Sequence, residues 1–167
     1  MTREERLRAA IETTLGRTLA AVVSDNEQVT FEALGECLTW VCALDESFEE
    51  NRNGYKSRRN TDGEGRYLRG LRYARNQVLH GHTVLDVAES SVVSNPVVMR
   101  GGAGAHRVSR ILMPPTRVVW TFKPTLPPLP RPEPKLESEY AAYVAGQDVT
   151  SVISGGVNWL DRTLSTP

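Results

Sequence analysis

Charge is segregated along the middle of this chain, and the segregation narrows what it can fold into. Between Asp25 and Asn51 stand eight acidic residues (Asp25, Glu27, Glu32, Glu36, Asp45, Glu46, Glu49, Glu50) and no Lys or Arg. From Arg52 to Arg75 the balance inverts: Arg52, Lys56, Arg58, Arg59, Arg66, Arg69, Arg72 and Arg75 stand against only Asp62 and Glu64. A helical period runs through both halves, carried by Leu34, Cys37, Leu38, Val41, Cys42, Leu44 and Phe48 in the first and by Tyr67, Leu71, Ala74 and Val78 in the second. Two neighbouring amphipathic helices of opposite sign follow. Either they pair with each other, or the basic one is a surface for a polyanion. Across all 167 residues 20 acids balance 20 bases, which argues against a general nucleic-acid coat protein.

The other elements are read by the same rules. Leu7, Ile11, Leu15, Leu19 and Val22 predict a first helix from about Thr2 to Val23. The second is expected to start at Thr30 as N-cap, with Val29 and Leu34 as a hydrophobic staple, and to end at Asn51-Arg52-Asn53-Gly54. Thr61 followed by Glu64 has the capping-box spacing, so a third helix is expected from there to about His80, stopped by Gly81. Thr83 to Val93 reads as a short fourth helix ended by Asn95-Pro96. Arg100 to Gly104 is a turn, and Val108–Met113 with Arg117–Lys123 predict a two-stranded hairpin. Pro124 to Pro134 holds six of the ten prolines and reads as an extended, semi-rigid spacer. Two last helices are expected over Glu137–Ala145 and Val149–Leu164, the second weakened by Gly155-Gly156.

With 40% hydrophobic residues the chain suits one principal core. No run of apolar residues is long enough to span a membrane, and the mixed charges of Met1–Arg6 do not resemble an export leader. Cys37 and Cys42 lie five apart on different sides of one helix and cannot bridge there, so both read as reduced core residues, which suits a cytoplasmic location.

Candidate chemistry gathers at the end of the basic helix. With Tyr67 at zero and about 100° per residue, Leu71, Ala74 and Val78 fall within about 40° of it, and Arg75 falls at about 80°, inside the apolar arc. A position that suits Leu thus holds an Arg, which needs a partner or a groove. Asn76 and His80 share the adjacent polar face with Arg69, Arg72 and Tyr73, and their four-residue spacing lets the amide orient the imidazole. A plain helix end, with His80 facing the dipole and Asn76 solvated, fits the same residues.

The segment Tyr73-Ala74-Arg75-Asn76-Gln77-Val78-Leu79-His80-Gly81-His82 resembles the R-x(4–6)-H motif of the HEPN superfamily, including its frequent polar residue after the Arg. The resemblance covers roughly residues 1–93. It implies a mainly α, HEPN-like antiparallel helical bundle, here followed by a hairpin and Pro-rich spacer over 94–135 and by helices over 136–167 that pack on the bundle or on a partner. It also implies metal-independent RNA cleavage through attack of the ribose 2′-OH. His80 then transfers protons, Arg75 stabilises the phosphorane, Asn76 orients His80 or binds phosphate, and Arg69, Arg72, Tyr73 and His82 contact substrate. HEPN toxins often carry Tyr where this chain has His82, which puts any regulation through that Tyr in doubt.

Arg75 and His80 differ by about 140° on a straight helix. Either the helix ends near Gly81, or a homodimer completes the site, as the resemblance implies. The expected partners are RNA, a second copy, and an antitoxin or defence-system protein. No cofactor or metal is expected: His80 and His82 lack a neighbouring ligand cluster, and Cys37 and Cys42 lack CxxC spacing. His106 reads as a turn residue, and Trp120 with Phe122 as packing on one face of a strand. Two alternatives are a non-catalytic scaffold or nucleotide- or RNA-binding module, with Arg75 paired to an acid of the second helix, and a helix-turn-helix DNA reader. The latter is disfavoured because the Arg-rich helix is too apolar on one side.

Overall fold

The computed structural model describes residues 1–23, 26–89, 116–121 and 126–165. Helices α1 (Arg3–Val23), α2 (Glu27–Asn51), α3 (Tyr55–Thr61) and α4 (Gly63–Leu79) precede strands β1 (Leu85–Glu89) and β2 (Thr116–Trp120), and α5 (Pro134–Tyr143) and α6 (Val149–Leu164) follow. The fold is mainly helical, with one small antiparallel sheet among the described residues. No helix among the described residues is long and apolar enough to cross a membrane.

α2 begins earlier than Thr30 because Asn26 is the better cap: its side chain accepts from the Val29 N–H at 3.1 Å. Thr30 lies inside the helix and is buried, and its hydroxyl donates to the Ala21 carbonyl of α1 at 2.9 Å. Thr18 does the converse, donating to Ala33 of α2 at 3.0 Å. With the helix start moved, Val29 stands in solvent and the expected staple to buried Leu34 does not form. Cys37 and Cys42 are buried and unbridged. Burial pushes the Cys42 thiol up to about 12, so it stays protonated at neutral pH.

α2 ends at Asn51 as expected, but a seven-residue helix follows that periodicity does not reveal. α3 has no apolar stripe; Tyr55 and Arg59, four apart, are its buried residues. Thr61 closes α3, and the cap of α4 falls to Asp62, whose carboxylate accepts from the Glu64 and Gly65 N–H groups at 2.9 and 3.2 Å.

Leu85–Glu89, expected to be helical, forms a strand. β1 pairs antiparallel with β2, Leu85 opposite Trp120 and Glu89 opposite Thr116, so the strand expected near Arg117 is present with a different partner. The Val108–Met113 run, the Arg100–Gly104 turn, His106 and Phe122 lie outside the described residues. A two-stranded sheet is marginal alone, and here β2 is held on its other edge as well. The Trp120 N–H donates to Gln147 at 3.0 Å and its carbonyl accepts from the Gly146 N–H at 2.8 Å.

The Pro-rich stretch is no free spacer where it is described. Leu129 is buried and the Pro127 carbonyl accepts from Gln77 of α4 at 3.1 Å, which lays residues 126–133 against the bundle. Pro134 occupies the first turn of α5, where its missing N–H costs nothing, so that helix begins earlier than Glu137.

One core draws on α1 through Ile11, α2 through Leu34 and Leu38, α4 through Leu71, β2 through Trp120, α5 through Tyr140 and α6 through Ile153. Glycines set how closely its helices approach. A Cβ at Gly155 would stand 2.9 Å from the Tyr67 ring, and one at Gly156 3.2 Å from Leu68. The pair that weakens α6 in isolation is thus what lets it lie on α4. At Gly70 a Cβ would meet Val144 at 2.3 Å and the Tyr140 backbone at 3.2 Å. Gly70→Ala is expected to push α5 off α4 and lower stability by about 1–3 kcal/mol, despite the gain in helix propensity, as urea denaturation would measure.

Candidate functional site

The charge inversion is resolved largely by pairing. Asp45 of α2 is fully buried. Its Oδ1 accepts from the Tyr55 hydroxyl at 2.5 Å and from Arg59 Nη1 at 2.9 Å, and its Oδ2 from Arg72 Nε at 2.6 Å. Glu49, one turn on, accepts from Arg59 and from Arg72, each at 2.8 Å. Burial by itself raises the Glu49 carboxyl, but hydrogen bonds and charge from Arg59, with Lys56 and Arg72, hold it at about 2. Burial and the Asp45 charge push the Tyr55 phenol far up, so it is a donor at any ordinary pH.

Arg72, expected at substrate, is therefore committed to this buried network. Arg69 pairs with Glu139 of α5 at 3.1 Å. Tyr73 is buried, its ring 5.1 Å from that of Tyr140. All three are thus engaged in contacts within the fold.

The last turns of α4 are different. Arg75 is half-buried, in keeping with its place in the apolar arc. Its Nη1 donates to Glu46 of α2 at 2.9 Å, and its Nε and Nη2 donate to Asn76 Oδ1 at 3.3 and 3.2 Å. Asn76 Nδ2 donates in turn to Glu133, just before α5, at 3.0 Å. Asn76 thus bridges Arg75 and Glu133, and the expected hydrogen bond to His80 is absent among the described residues. The Asn76 amide is taken up by Arg75 and Glu133 instead, although the His80 N–H still reaches the Asn76 carbonyl at 3.2 Å as the C-cap of α4.

The chain then makes a Schellman turn. Gly81 takes φ 77, its N–H donates to the Val78 carbonyl at 2.9 Å, and the His82 N–H donates to the Gln77 carbonyl at 3.0 Å. His80 is left exposed with no side-chain hydrogen bond among the described residues, and its ring lies 6.4 Å from that of His82. His82 is half-buried, its Nδ1 2.5 Å from Gln77 Oε1. No group of His, Cys, Asp and Glu among the described residues could hold a metal ion.

Arg75, Asn76, His80 and His82 therefore gather where α4 ends, and Glu46, Glu133 and Gln77 join them. Glu46 was foreshadowed by the acidic run of α2. Gln77 and Glu133 carried no signal, because a Gln at a buried helical position and a Glu among prolines look ordinary until the chain closes. Comparison with family models, with curated proteins and with solved structures returned no match.

Removing the Asp45 carboxylate leaves two guanidinium groups without their main buried counter-charge. Asp45→Ala is expected to lower stability by about 3–5 kcal/mol in denaturant titrations. The depressed Glu49 carboxyl contributes stability that is present above its ordinary value of 4.5 and lost as pH falls towards about 2. Acid titration of a Glu49→Gln variant should show a smaller fall over that window than the parent.

Proposed function

We propose that this protein is a metal-independent endoribonuclease of HEPN type, acting as a homodimer whose two copies of Arg75 and His80 face one cleft. The observation that carries the reading is a solvent-exposed imidazole at the end of α4, following an Arg whose counter-ion a phosphate can displace. The side chains of Arg75 and Glu46 are 21% and 43% exposed, so this pair stays in partial contact with water. Arg59 and Arg72, tied to buried Asp45, are not displaceable in that sense.

In this reading the 2′-oxygen attacks phosphorus, Arg75 stabilises the added negative charge, and His80 transfers a proton, leaving a 2′,3′-cyclic phosphate and a 5′-hydroxyl. Dependence on the 2′-OH spares DNA. Action as a toxin or in phage defence, with an antitoxin or defence-system partner, follows from the family resemblance.

A specific observation favours a second reading. Arg59, Arg69, Arg72 and Arg75 each have a carboxylate partner. That suits a non-catalytic module in which Arg75 only ties α4 to α2. The two readings part on one experiment: purified protein is incubated with total and structured RNA without metal, and the ends are mapped. We expect cyclic-phosphate ends from the parent, and a loss of about a hundredfold or more in His80→Ala. Folded His80→Ala and Arg75→Ala proteins that cut at the parental rate would sink the ribonuclease reading, and a parent that cuts no RNA would favour the module.

A further inference from the structure

We propose that His80 and His82 form a two-histidine acid–base couple, with His82 as the base and Gln77 as the residue that sets its tautomer. The proposal rests on the ribonuclease reading and adds a second proton-transfer group to it. The geometry begins with Gln77, which is fully buried in the middle of the motif. Its Nε2 donates to the Tyr73 hydroxyl at 2.8 Å and to the Pro127 carbonyl at 3.1 Å. A backbone carbonyl only accepts, so the amide nitrogen must face Pro127, and Oε1 is thereby turned towards His82. An amide oxygen also only accepts. The proton between Gln77 Oε1 and His82 Nδ1 therefore belongs to the imidazole, and in the neutral ring Nε2 is left as the lone-pair nitrogen.

Among the described residues nothing hydrogen-bonds to that Nε2. The Schellman turn through Gly81 fixes the His82 backbone and the bond to Gln77 holds the ring, so tautomer and orientation are both set before any ligand arrives. His80, with its ring centroid 6.4 Å away, is exposed and exchanges protons with water. One histidine is thus held as an acceptor and the other is open to solvent.

The proton inventory closes without a co-reactant. His82 Nε2 takes the proton of the ribose 2′-OH as the 2′-oxygen bonds to phosphorus. The bond from phosphorus to the 5′-oxygen breaks, and His80 gives its proton to that oxygen. His82 ends protonated and His80 neutral, and exchange with water restores both.

The test uses the full chain, RNA, and uridine 3′-(4-nitrophenyl) phosphate, whose leaving group departs without an acid. We expect His82→Ala to lose about a hundredfold or more on both substrates, and His80→Ala to lose as much on RNA but less than about tenfold on the nitrophenyl ester. Long-range 1H–15N spectra should show neutral His82 protonated at Nδ1. In Gln77→Met that preference should disappear and turnover of both substrates should fall. If Gln77→Met does not fold, the parent spectrum and His82→Ala decide the matter. His82 protonated at Nε2, or a His82→Ala protein within about twofold of the parent on both substrates, overturns the couple. The ribonuclease reading would survive that result provided His80→Ala remains inactive on RNA, whereas a parent that cleaves neither substrate removes both.

Discussion

The carboxylate of Asp45 is the point on which the helical arrangement depends. It is fully buried in α2 and is met by Tyr55 and Arg59 from α3 and by Arg72 from α4. A buried charge is tolerated only where its partners are in place. Each of the three helices therefore has one rotation and one register at which this cluster closes. Glu49 repeats the arrangement one turn away and ties the same two arginines to α2. Replacing such a cluster with apolar groups often costs a protein little stability. What the contacts show is that the cluster ties α4 to α2 and α3, and the candidate site lies at the end of α4.

From that alignment the rest of the architecture follows by contact. Gly70, Gly155 and Gly156 let α5 and α6 approach α4 more closely than side chains would permit. The link between α5 and α6 then closes the free edge of β2, and β2 in turn orders β1, directly after the motif. Gln77 connects these layers. It binds Tyr73 within its own helix, Pro127 of the segment leading to α5, and His82 beyond the helix end.

The chemistry at this end depends on contrast in burial. Asp45 and Arg59 are removed from solvent and act as structure, while Arg75 and Glu46 meet in partial contact with water. Residues of the same type therefore differ in what they can do by where their partners sit. The helix ends at Leu79 because Gly81 accepts a positive φ, and that single turn folds His82 back onto Gln77 while His80, the C-cap, stays exposed.

Local pattern was enough to reveal α1, α2, α4 and α6, the strand at β2, the stop at Gly81, and Arg75 as a residue out of place in an apolar arc. Each of these depends on side-chain period or on the φ range of one residue, which neighbours in sequence determine. Other features required the closed chain. α3 forms because Tyr55 and Arg59 reach a carboxylate on another helix, and β1 is a strand because a partner about thirty residues on pairs with it. Whether the basic helix would meet a polyanion or the acids of α2 was open in the sequence, and the tertiary structure decided it for Arg59 and Arg72 by burying their common partner. The same holds for His82: a Gln and a His five apart signal nothing, and only the packing of Pro127 and Tyr73 on one amide orients the oxygen that sets the imidazole's proton.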